Sequence, residues 1–297
     1  MHLTGLHLLL THKCLLECEH CFVFGSPSQS GTMTGSAVEH ILAQAKELGS
    51  VEWIYFEGGE PFLYYPLLLK GVRAAERYGF QVGVVTNGYW ANSLEDAREA
   101  LRPFAGLVQD LSISSDRFHW DEPASKCECA LAASAELGIP AGLISINGLE
   151  ELNACLSMGK IAAGESEVMF RGRAAVKLAQ RAPQYPWSDF AACPHEDLRE
   201  PGRLHVDPSG SLHICQGILI GNMFERSLGE IAASYEPARH PICGPLLEGG
   251  PARLAGEYAL PYRETYAGAC HLCYEARLAL RVRFPEYLGP NQVYGEY

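Results

Sequence analysis

Three cysteines at the spacing C-x3-C-x2-C follow an apolar run near the start of the chain. They are Cys14, Cys18 and Cys21, and the run before them is Leu6–Leu10. Three thiolates on one short loop can bind three irons of a cubane cluster and leave the fourth iron open, whereas iron–sulfur clusters are normally closed by four cysteines. The alternative is a zinc knuckle, which usually adds a second C-x2-C or a histidine pair. No such partner follows before Cys127, so the spacing favours a reactive iron–sulfur cluster.

The composition predicts a folded protein that does not bind nucleic acid or span a membrane. The 297 residues are 47% hydrophobic and carry a formal net charge of −12, which favours a large core and argues against a nucleic-acid groove lined with Lys and Arg. The start of the chain lacks a basic segment followed by a long apolar one, so we expect no signal peptide. No run reaches membrane-spanning length. Eleven cysteines without secretory features indicate metal ligands and reduced thiols, and hence a cytoplasmic location that is low in oxygen.

Short β-rich runs alternate with longer helical stretches up to about residue 180. The predicted strands are Leu6–Leu10, Val51–Phe56, Gln81–Val85, Val108–Ser114, Ala141–Ile146 and Glu167–Phe170. The predicted helices are Ser36–Leu48, Leu67–Tyr78, Leu94–Leu101, Ala124–Leu137 and Leu149–Ala163. Six β-then-α units predict a parallel sheet with right-handed crossovers, which an open partial barrel and a flat doubly wound sheet both satisfy. In either fold a ligand binds at the carboxyl ends of the strands.

Three more motifs follow predicted strands. They are Gly58-Gly59-Glu60-Pro61, Thr86-Asn87-Gly88 and the segment Leu111–Asp116. Together with the cysteine loop they resemble the radical SAM superfamily over about residues 5–185. The resemblance implies an α/β fold, a partial (β/α)6 TIM-type barrel. It also implies a [4Fe–4S] cluster on the three cysteines, with S-adenosylmethionine (SAM) bound to the open iron and cleaved reductively to a 5′-deoxyadenosyl radical.

The resemblance also implies which residues bind SAM. The methionine amino group would lie against the backbone carbonyls of Gly58 and Gly59 and the side chain of Glu60, since glycine allows close backbone approach. The other implied cofactor-binding residues are Asn87, Ser114, Asp116 and Asn147. Ser, Asn and Asp are also common turn formers, so a purely structural role is the alternative for these four.

A second region begins where Pro183 and Pro186 interrupt the helical pattern, which predicts domains at residues 1–185 and 186–297. The runs Arg203–Val206 and Ser211–Cys215 flank the turn sequence Asp207–Gly210 and predict a β-hairpin. Helices are predicted at Leu228–Ser234 and Tyr274–Val282. We therefore expect a small C-terminal α+β domain.

This second region contains another cysteine set. It comprises Cys193, Cys215, Cys270 and Cys273, of which the last two form a C-x2-C. The set resembles the twitch domain, a shortened relative of the SPASM extension of radical SAM enzymes. The resemblance implies an auxiliary [4Fe–4S] cluster closed by four thiolates. Four cysteines also make a structural zinc site, and Cys243 is a spare that could replace one of the four.

Three residues are candidates for catalysis. Arg173 lies in Arg171-Gly172-Arg173-Ala174, which resembles the Gly-Arg-Ala segment of SPASM and twitch enzymes. Its forked guanidinium suits a carboxylate, hydroxyl or phosphate of a substrate, and a surface ion pair is the alternative for Arg171 and Arg173. His119 faces the substrate or begins the next helix. Cys155 is a candidate hydrogen-atom donor, although a buried structural thiol is the usual role of such a cysteine.

The expected reaction is abstraction of a substrate hydrogen atom, followed by loss of an electron to the auxiliary cluster. This two-electron oxidation resembles that of the aminocyclitol dehydrogenases that carry a twitch domain. The expected partners are a small-molecule substrate and a one-electron donor such as flavodoxin or ferredoxin. The short segment before Leu6 has no room for a peptide-recognition domain, which favours a small molecule. The alternatives are a peptide-modifying (RiPP) enzyme, an epimerase that uses Cys155, and a cluster-carrying maturase that acts on a protein partner.

Overall fold

A computed structural model describes residues 1–120, 124–147, 149 and 165–296. Contacts divide these residues into two units. The N-terminal unit comprises residues 4–18 and the described residues from 25 to 168, and the C-terminal unit comprises residues 1–3, 19–24 and those from 169 onward. Residues 169–185 thus group with the C-terminal unit, whereas the sequence analysis put them in the first domain. The domain assignment itself stays a prediction.

The N-terminal unit contains a parallel sheet. Its strands are β1 (Gly5–Thr11), β2 (Trp53–Gly58), β3 (Gln81–Thr86), β4 (Asp110–Ser114), β5 (Ala141–Ile146) and β6 (Glu165–Ser166). Each strand pairs with the next one in the chain, and every pair is parallel. The first five agree with the predicted strands to within two residues. The sixth prediction, Glu167–Phe170, is wrong. Ile146, the last residue of β5, pairs with Ser166, so β5 has no further residue with which residues 167–170 could pair.

Helices connect these strands. They are α1 (Gly35–Leu48), α2 (Tyr65–Arg77), α3 (Leu94–Leu101) and α4 (Ala124–Glu136). Side-chain caps fix two of the starts: the Thr34 hydroxyl accepts a hydrogen bond from the N–H of Ala37, and the Ser93 hydroxyl accepts one from the N–H of Asp96. The helix predicted at residues 149–163 lies outside the described residues except for Leu149.

The two faces of the sheet differ in character. Phe56 of β2 packs against α2, where a Cβ on Gly71 would lie 2.8 Å from its ring. The neighbouring Tyr55 therefore points to the opposite face, because successive side chains of a strand alternate. Its ring crosses Gly83, where a Cβ would lie 2.2 Å from the ring, and its hydroxyl donates a hydrogen bond to Asp110 at 2.8 Å. That face thus carries polar side chains, although parallel sheets are usually apolar on both faces.

The C-terminal unit is built from short elements. Its strands are β7 (Tyr185–Pro186), β8 (Arg203–Val206), β9 (Ser211–Cys215), β10 (Ile218–Asn222) and β11 (Thr265–Tyr266). Its helices are α5 (Arg173–Lys177), α6 (Leu228–Ser234), α7 (Cys243–Glu257) and α8 (Ala269–Leu280). Strands β8, β9 and β10 form an antiparallel sheet, and β7 pairs with β11.

The predicted hairpin is confirmed. The carboxylate of Asp207 accepts hydrogen bonds from the N–H groups of Ser209 and Ser211, at 2.8 and 3.1 Å. Gly210 adopts a φ of +85°, which favours glycine. Helix α6 has the predicted bounds, whereas α8 begins at Ala269, five residues before the predicted start. Both cysteines of the C-x2-C therefore lie at the beginning of α8. None of the described helices has the length and apolar character needed to cross a membrane.

Candidate active site and metal centre

The two glycines after β2 lie against the backbone that leads into the cysteine loop. A Cβ on Gly58, whose φ is +148°, would lie 2.3 Å from the carbonyl oxygen of Thr11, and one on Gly59 would lie 2.2 Å from that of Lys13. The N–H of Gly59 donates a hydrogen bond to the Thr11 carbonyl at 2.7 Å. The glycine pair thus permits a backbone contact that fixes the chain just before Cys14. Direct contact between these glycines and SAM stays a prediction.

Glu60 is fully buried and joins the ends of two strands. One carboxylate oxygen accepts hydrogen bonds from the N–H of Phe62 and the hydroxyl of Thr86, and the other accepts one from the N–H of Asn87. Burial raises the pKa of Glu60 to about 7, while these three hydrogen bonds act to lower it. A carboxylate offers about four acceptor positions, so most of this one is used within the chain. Its contact with SAM stays a prediction.

Asn87 lies beside the first cysteine. Its side-chain N–H group is a donor 3.7 Å from the Sγ of Cys14. Its side-chain oxygen accepts a hydrogen bond from the N–H of Tyr89, and its carbonyl accepts one from the indole of Trp120. Hydrogen bonds to the sulfur ligands of a cluster help to set its reduction potential. Asn87 is therefore placed to contact Cys14, whose role as a cluster ligand stays a prediction.

Asp116 joins the end of β4 to the end of β5. One oxygen accepts a hydrogen bond from the N–H of Phe118 and lies 2.7 Å from Nδ1 of His119, and the other accepts one from the N–H of Ile146. These bonds match the structural alternative for Asp116 and hold the imidazole of His119 in one orientation. Ser114 is half-buried at the carboxyl end of β4. Roles for these residues in catalysis or SAM binding stay predictions.

Asn147 follows β5 and is only 5% exposed. Its backbone N–H donates a hydrogen bond to the carbonyl of Ser166, but its side-chain nitrogen has no hydrogen-bond partner among the described residues. A buried donor without a partner costs about 1–3 kcal/mol. The side chain therefore suits an acceptor atom of a bound ligand, in line with the expectation from sequence that Asn147 binds SAM.

Arg173 contacts the cysteine loop through its backbone. Its N–H donates a hydrogen bond to the carbonyl of Cys21 at 2.8 Å, and a Cβ on the preceding Gly172 would lie 2.6 Å from Phe22. The guanidinium lies over the ring of Phe24, 5.5 Å from its centroid. Arg173 is largely buried, so the surface ion pair considered from sequence is wrong for it. Its role as a catalytic residue stays a prediction, and Cys155 lies outside the described residues.

The four cysteines of the second set line one pocket of the C-terminal unit. Cys215 ends β9, Cys270 and Cys273 begin α8, and Cys193 precedes β8. Burial raises the pKa of Cys270 to about 12 and that of Cys273 to about 11; neighbouring thiols contribute to the rise, while Arg171 acts to lower the first pKa and Arg277 the second. Such thiols lose their protons when they bind a metal. Four cysteines are a usual ligand set of a [4Fe–4S] cluster and of a structural zinc ion alike.

Two buried arginines also line this pocket. Arg171 donates hydrogen bonds from Nη1 to Cys215 Sγ at 3.1 Å and to a carboxylate oxygen of Glu196 at 3.2 Å. Arg277 donates one to the carbonyl of Gln216 at 2.7 Å and forms no ion pair with a carboxylate of the described residues. Buried charges require compensation. A centre with four thiolates carries negative charge and therefore fits this pocket.

Sequence reasoning placed neither arginine beside the second cysteine set. Arg171 was considered a substrate-binding arginine or, alternatively, part of a surface ion pair, but it is largely buried, and its contact with Cys215 spans 44 residues. Arg277 did have a signal: it follows Cys273 by four residues, so the two share one face of α8. A cation one helical turn after a C-x2-C is a recognisable pattern, although on a surface helix it would indicate only a solvated face.

Cys243 does not line the pocket. It is fully buried, and burial raises the pKa of its thiol to about 12, while a hydrogen bond with Tyr235 acts to lower it. The Tyr235 hydroxyl donates its one hydrogen to the carbonyl of Leu198 at 2.8 Å. This position favours the four cysteines predicted first over an exchange with Cys243.

A family profile matches the N-terminal part of the chain. The profile described as "Radical SAM superfamily" matches residues 8–117. That stretch contains the cysteine loop, the glycine turn, Asn87 and Asp116. The match supports a radical SAM enzyme, and a [4Fe–4S] cluster and SAM are implied by that family.

Two curated relatives match part of the chain. "Putative peptide biosynthesis protein YydG" of Bacillus subtilis is 28% identical over 111 residues, which cover 37% of this chain and 35% of that protein. The tungsten-containing aldehyde ferredoxin oxidoreductase cofactor-modifying protein of Pyrococcus furiosus is 36% identical over 107 residues, which cover 36% of this chain and 28% of that protein. The matched segment thus spans about a third of these relatives.

Two solved structures of SuiB from Streptococcus suis share the fold. SuiB bound to its precursor peptide SuiA has a TM-score of 0.55 at 13% identity, and the match covers 85% of this chain and 71% of that one. SuiB bound to S-adenosylmethionine has a TM-score of 0.51 at 14% identity, with coverage of 78% and 66%. At this identity the likeness shows the fold alone. It confirms an α/β fold with a mostly parallel sheet.

Proposed function

We propose that this protein is a radical SAM enzyme that removes two electrons from its substrate, with a second [4Fe–4S] cluster as the acceptor of one of them. One observation carries the proposal: the four cysteines chosen from sequence, Cys193, Cys215, Cys270 and Cys273, line a single pocket. When bound, the N-terminal cluster and SAM supply a radical that abstracts a hydrogen atom.

In the N-terminal unit, the residues of the chain would hold and orient that cofactor pair. Cys14 and Cys18 would ligate iron together with Cys21, and the amide of Asn87 donates toward the sulfur of Cys14. Asn147 offers its buried N–H to an acceptor atom of SAM. This arrangement positions a ligand at the carboxyl ends of the strands, as expected for a parallel α/β sheet.

In the C-terminal unit, the pocket residues favour an anionic centre. Four thiolates would supply negative charge, and the guanidiniums of Arg171 and Arg277 would compensate it. A zinc ion bound by four cysteines is compensated in the same way, so charge does not discriminate between the two centres. We propose a cluster at this site because the oxidation requires an electron acceptor, and a zinc ion cannot accept an electron.

Two substrate classes follow from different observations. The resemblance of the second cysteine set to that of aminocyclitol dehydrogenases with a twitch domain favours a small molecule. The similarity to YydG, whose name describes peptide biosynthesis, favours a peptide and makes peptide modification the second candidate function. The half-buried polar side chains of Tyr55, Glu57 and Asp110 suit a substrate with hydrogen-bonding groups in either class. A flavodoxin or ferredoxin is the proposed electron donor.

Metal analysis after anaerobic reconstitution tests the cluster assignments. The wild-type protein should hold about eight irons, four for each cluster. Changing Cys14, Cys18 and Cys21 together to Ala should leave about four and abolish release of 5′-deoxyadenosine. Cys129→Ala is the matched control, since Cys129 is a half-buried free cysteine on α4, and it should keep all eight. Zinc in place of the second four irons would refute the proposed oxidation.

Turnover measurements then separate the substrate classes. Reconstituted enzyme is incubated with the small-molecule and the peptide fraction of a cell extract, and 5′-deoxyadenosine release above the rate without substrate identifies the responding fraction. In that fraction, Cys270→Ala should still release 5′-deoxyadenosine but lose the oxidised product. An unchanged product yield would contradict a role for the second cluster.

A further inference from the structure

The guanidinium of Arg171 lies in a buried network of charges. It donates hydrogen bonds to Cys215 Sγ and to Glu196. The other carboxylate oxygen of Glu196 lies 3.5 Å from the guanidinium of Arg203, whose side chain is 51% exposed, whereas that of Arg171 is 10% exposed. Glu196 therefore interacts with one buried arginine that touches a cysteine and with one exposed arginine.

Arg277 adds a second buried positive charge to the pocket. It is 1% exposed, and its guanidinium is held by the carbonyls of Gln216 and Cys273 and lies over the rings of Tyr274 and Tyr294. A guanidinium does not lose its proton in a protein. The pocket thus combines two fixed cations with one carboxylate beside four cysteines.

Such a setting has a direct redox consequence for an iron–sulfur cluster. Reduction adds one negative charge, and a neighbouring cation stabilises the more negative state. Hydrogen bonds to the sulfur ligands act in the same direction, and both are known determinants of the reduction potential. Because the N–H of Arg171 donates directly to a cysteine sulfur, it combines the two effects at one ligand.

We propose that Arg171 is a positioning residue that raises the reduction potential of the cluster on Cys193, Cys215, Cys270 and Cys273. The inference rests on the proposed function, because it requires an electron-accepting cluster there. In the overall step the substrate radical loses one electron, the cluster gains it, and the substrate releases a proton to solvent. A higher potential makes that transfer more favourable.

The test uses full-length protein in which Cys14, Cys18 and Cys21 are changed to Ala, so that the second cluster alone contributes. The cluster is reconstituted anaerobically and titrated with dithionite, and its reduction is followed by electron paramagnetic resonance. Arg171→Gln should shift the reduction equilibrium at least tenfold toward the oxidised state, which is about 59 mV for a one-electron couple. This readout is independent of turnover.

Two further variants separate an electrostatic role from a structural one. Glu196→Gln removes the negative charge beside Arg171 and should raise the potential, which is the opposite sign. Arg203→Gln removes a cation from the other side of Glu196 at an exposed site and should leave the potential unchanged. A merely structural role for Arg171 predicts no such pair of opposite shifts.

Each outcome is decisive. Opposite shifts for Arg171→Gln and Glu196→Gln, with none for Arg203→Gln, support the inference. A retained cluster whose potential does not move overturns it and leaves the proposed function standing, and an equal shift for Arg203→Gln overturns the specific role of Arg171. If Arg171→Gln binds no iron, the sign of the Glu196→Gln shift decides. Absence of iron from the triple-Ala protein itself overturns the proposed function, and the inference with it.

Discussion

The carboxyl group of Glu60 makes the stability of this protein depend on pH. Burial raises its pKa from the ordinary 4.5 to about 7. Since the folded pKa lies above the unfolded one, the stability associated with its protonation is fully present below about pH 4.5 and is lost as the pH rises through about 7. At 1.36 kcal/mol per pKa unit, the full loss is about 3 kcal/mol, of which about 1 kcal/mol falls between pH 6 and pH 8.

Glu60→Gln removes this titration. The variant keeps one acceptor oxygen but presents an NH2 group to one of the three donors, so we expect it to be destabilised by about 1–3 kcal/mol near pH 6. The gap to wild type should narrow by about 1 kcal/mol at pH 8, because only the wild-type protein pays the cost of burying a charge. Urea unfolding of anaerobically reconstituted protein, followed by circular dichroism, measures both free energies.

Glu52→Gln is the matched control. Glu52 is an exposed carboxylate just before β2, the strand that Glu60 follows. It should change the free energy of unfolding by no more than about 0.5 kcal/mol at either pH. A gap between wild type and Glu60→Gln that stays constant from pH 6 to pH 8 would refute the reasoning. It would mean that the three hydrogen bonds offset burial and keep the pKa at or below its ordinary value, so that the carboxylate is ionised in the folded and the unfolded state throughout this range.

Two further predictions concern the cofactor site. Gly59→Ala should lower the iron content of the N-terminal cluster, because the new Cβ would lie 2.2 Å from the carbonyl oxygen of Lys13. Gly142→Ala, where nothing lies within 4 Å, should keep its iron, and equal losses in the two variants would contradict the steric argument. Asn147→Ala should weaken SAM binding about tenfold, the equivalent of one hydrogen bond, as measured by equilibrium dialysis. Asn92→Ala, at an exposed position, should bind normally; unchanged affinity for Asn147→Ala would exclude the contact.

Local sequence patterns predicted the first five strands because each one contains apolar residues between turn formers. The same signal was misleading at Val168–Phe170, where an apolar run lies beyond the end of the neighbouring strand. Whether this segment pairs depends on how far β5 extends, and the length of β5 cannot be predicted from residues 167–170 themselves. Strand partners are a tertiary property, and a single segment predicts only its own preference.

The same distinction between local and tertiary properties applies to the candidate site. The resemblance of the cysteine pattern to a twitch domain selected the four thiols that line the pocket, because ligand sets recur at similar spacings. The contact between Arg171 and Cys215 joins residues far apart in the chain, and the bond from Ile146 to Asp116 depends on the register of two strands. The sequence named Asp116 as a possible SAM-binding residue. Only the fold shows that its carboxylate accepts hydrogen bonds from other residues of the chain.

The ring of Tyr55 lies in the volume that a side chain at position 83 would occupy. The two positions are paired on neighbouring strands. The size of the side chain at one position therefore limits the size of the side chain at the other in related sequences. A related sequence that acquires even an alanine at position 83 must reduce or redirect residue 55, and the carboxylate of Asp110 then loses its phenol donor. We therefore expect positions 55, 83 and 110 to change together among homologous sequences. Such covariation would show which combinations of side chains this polar face of the sheet accepts.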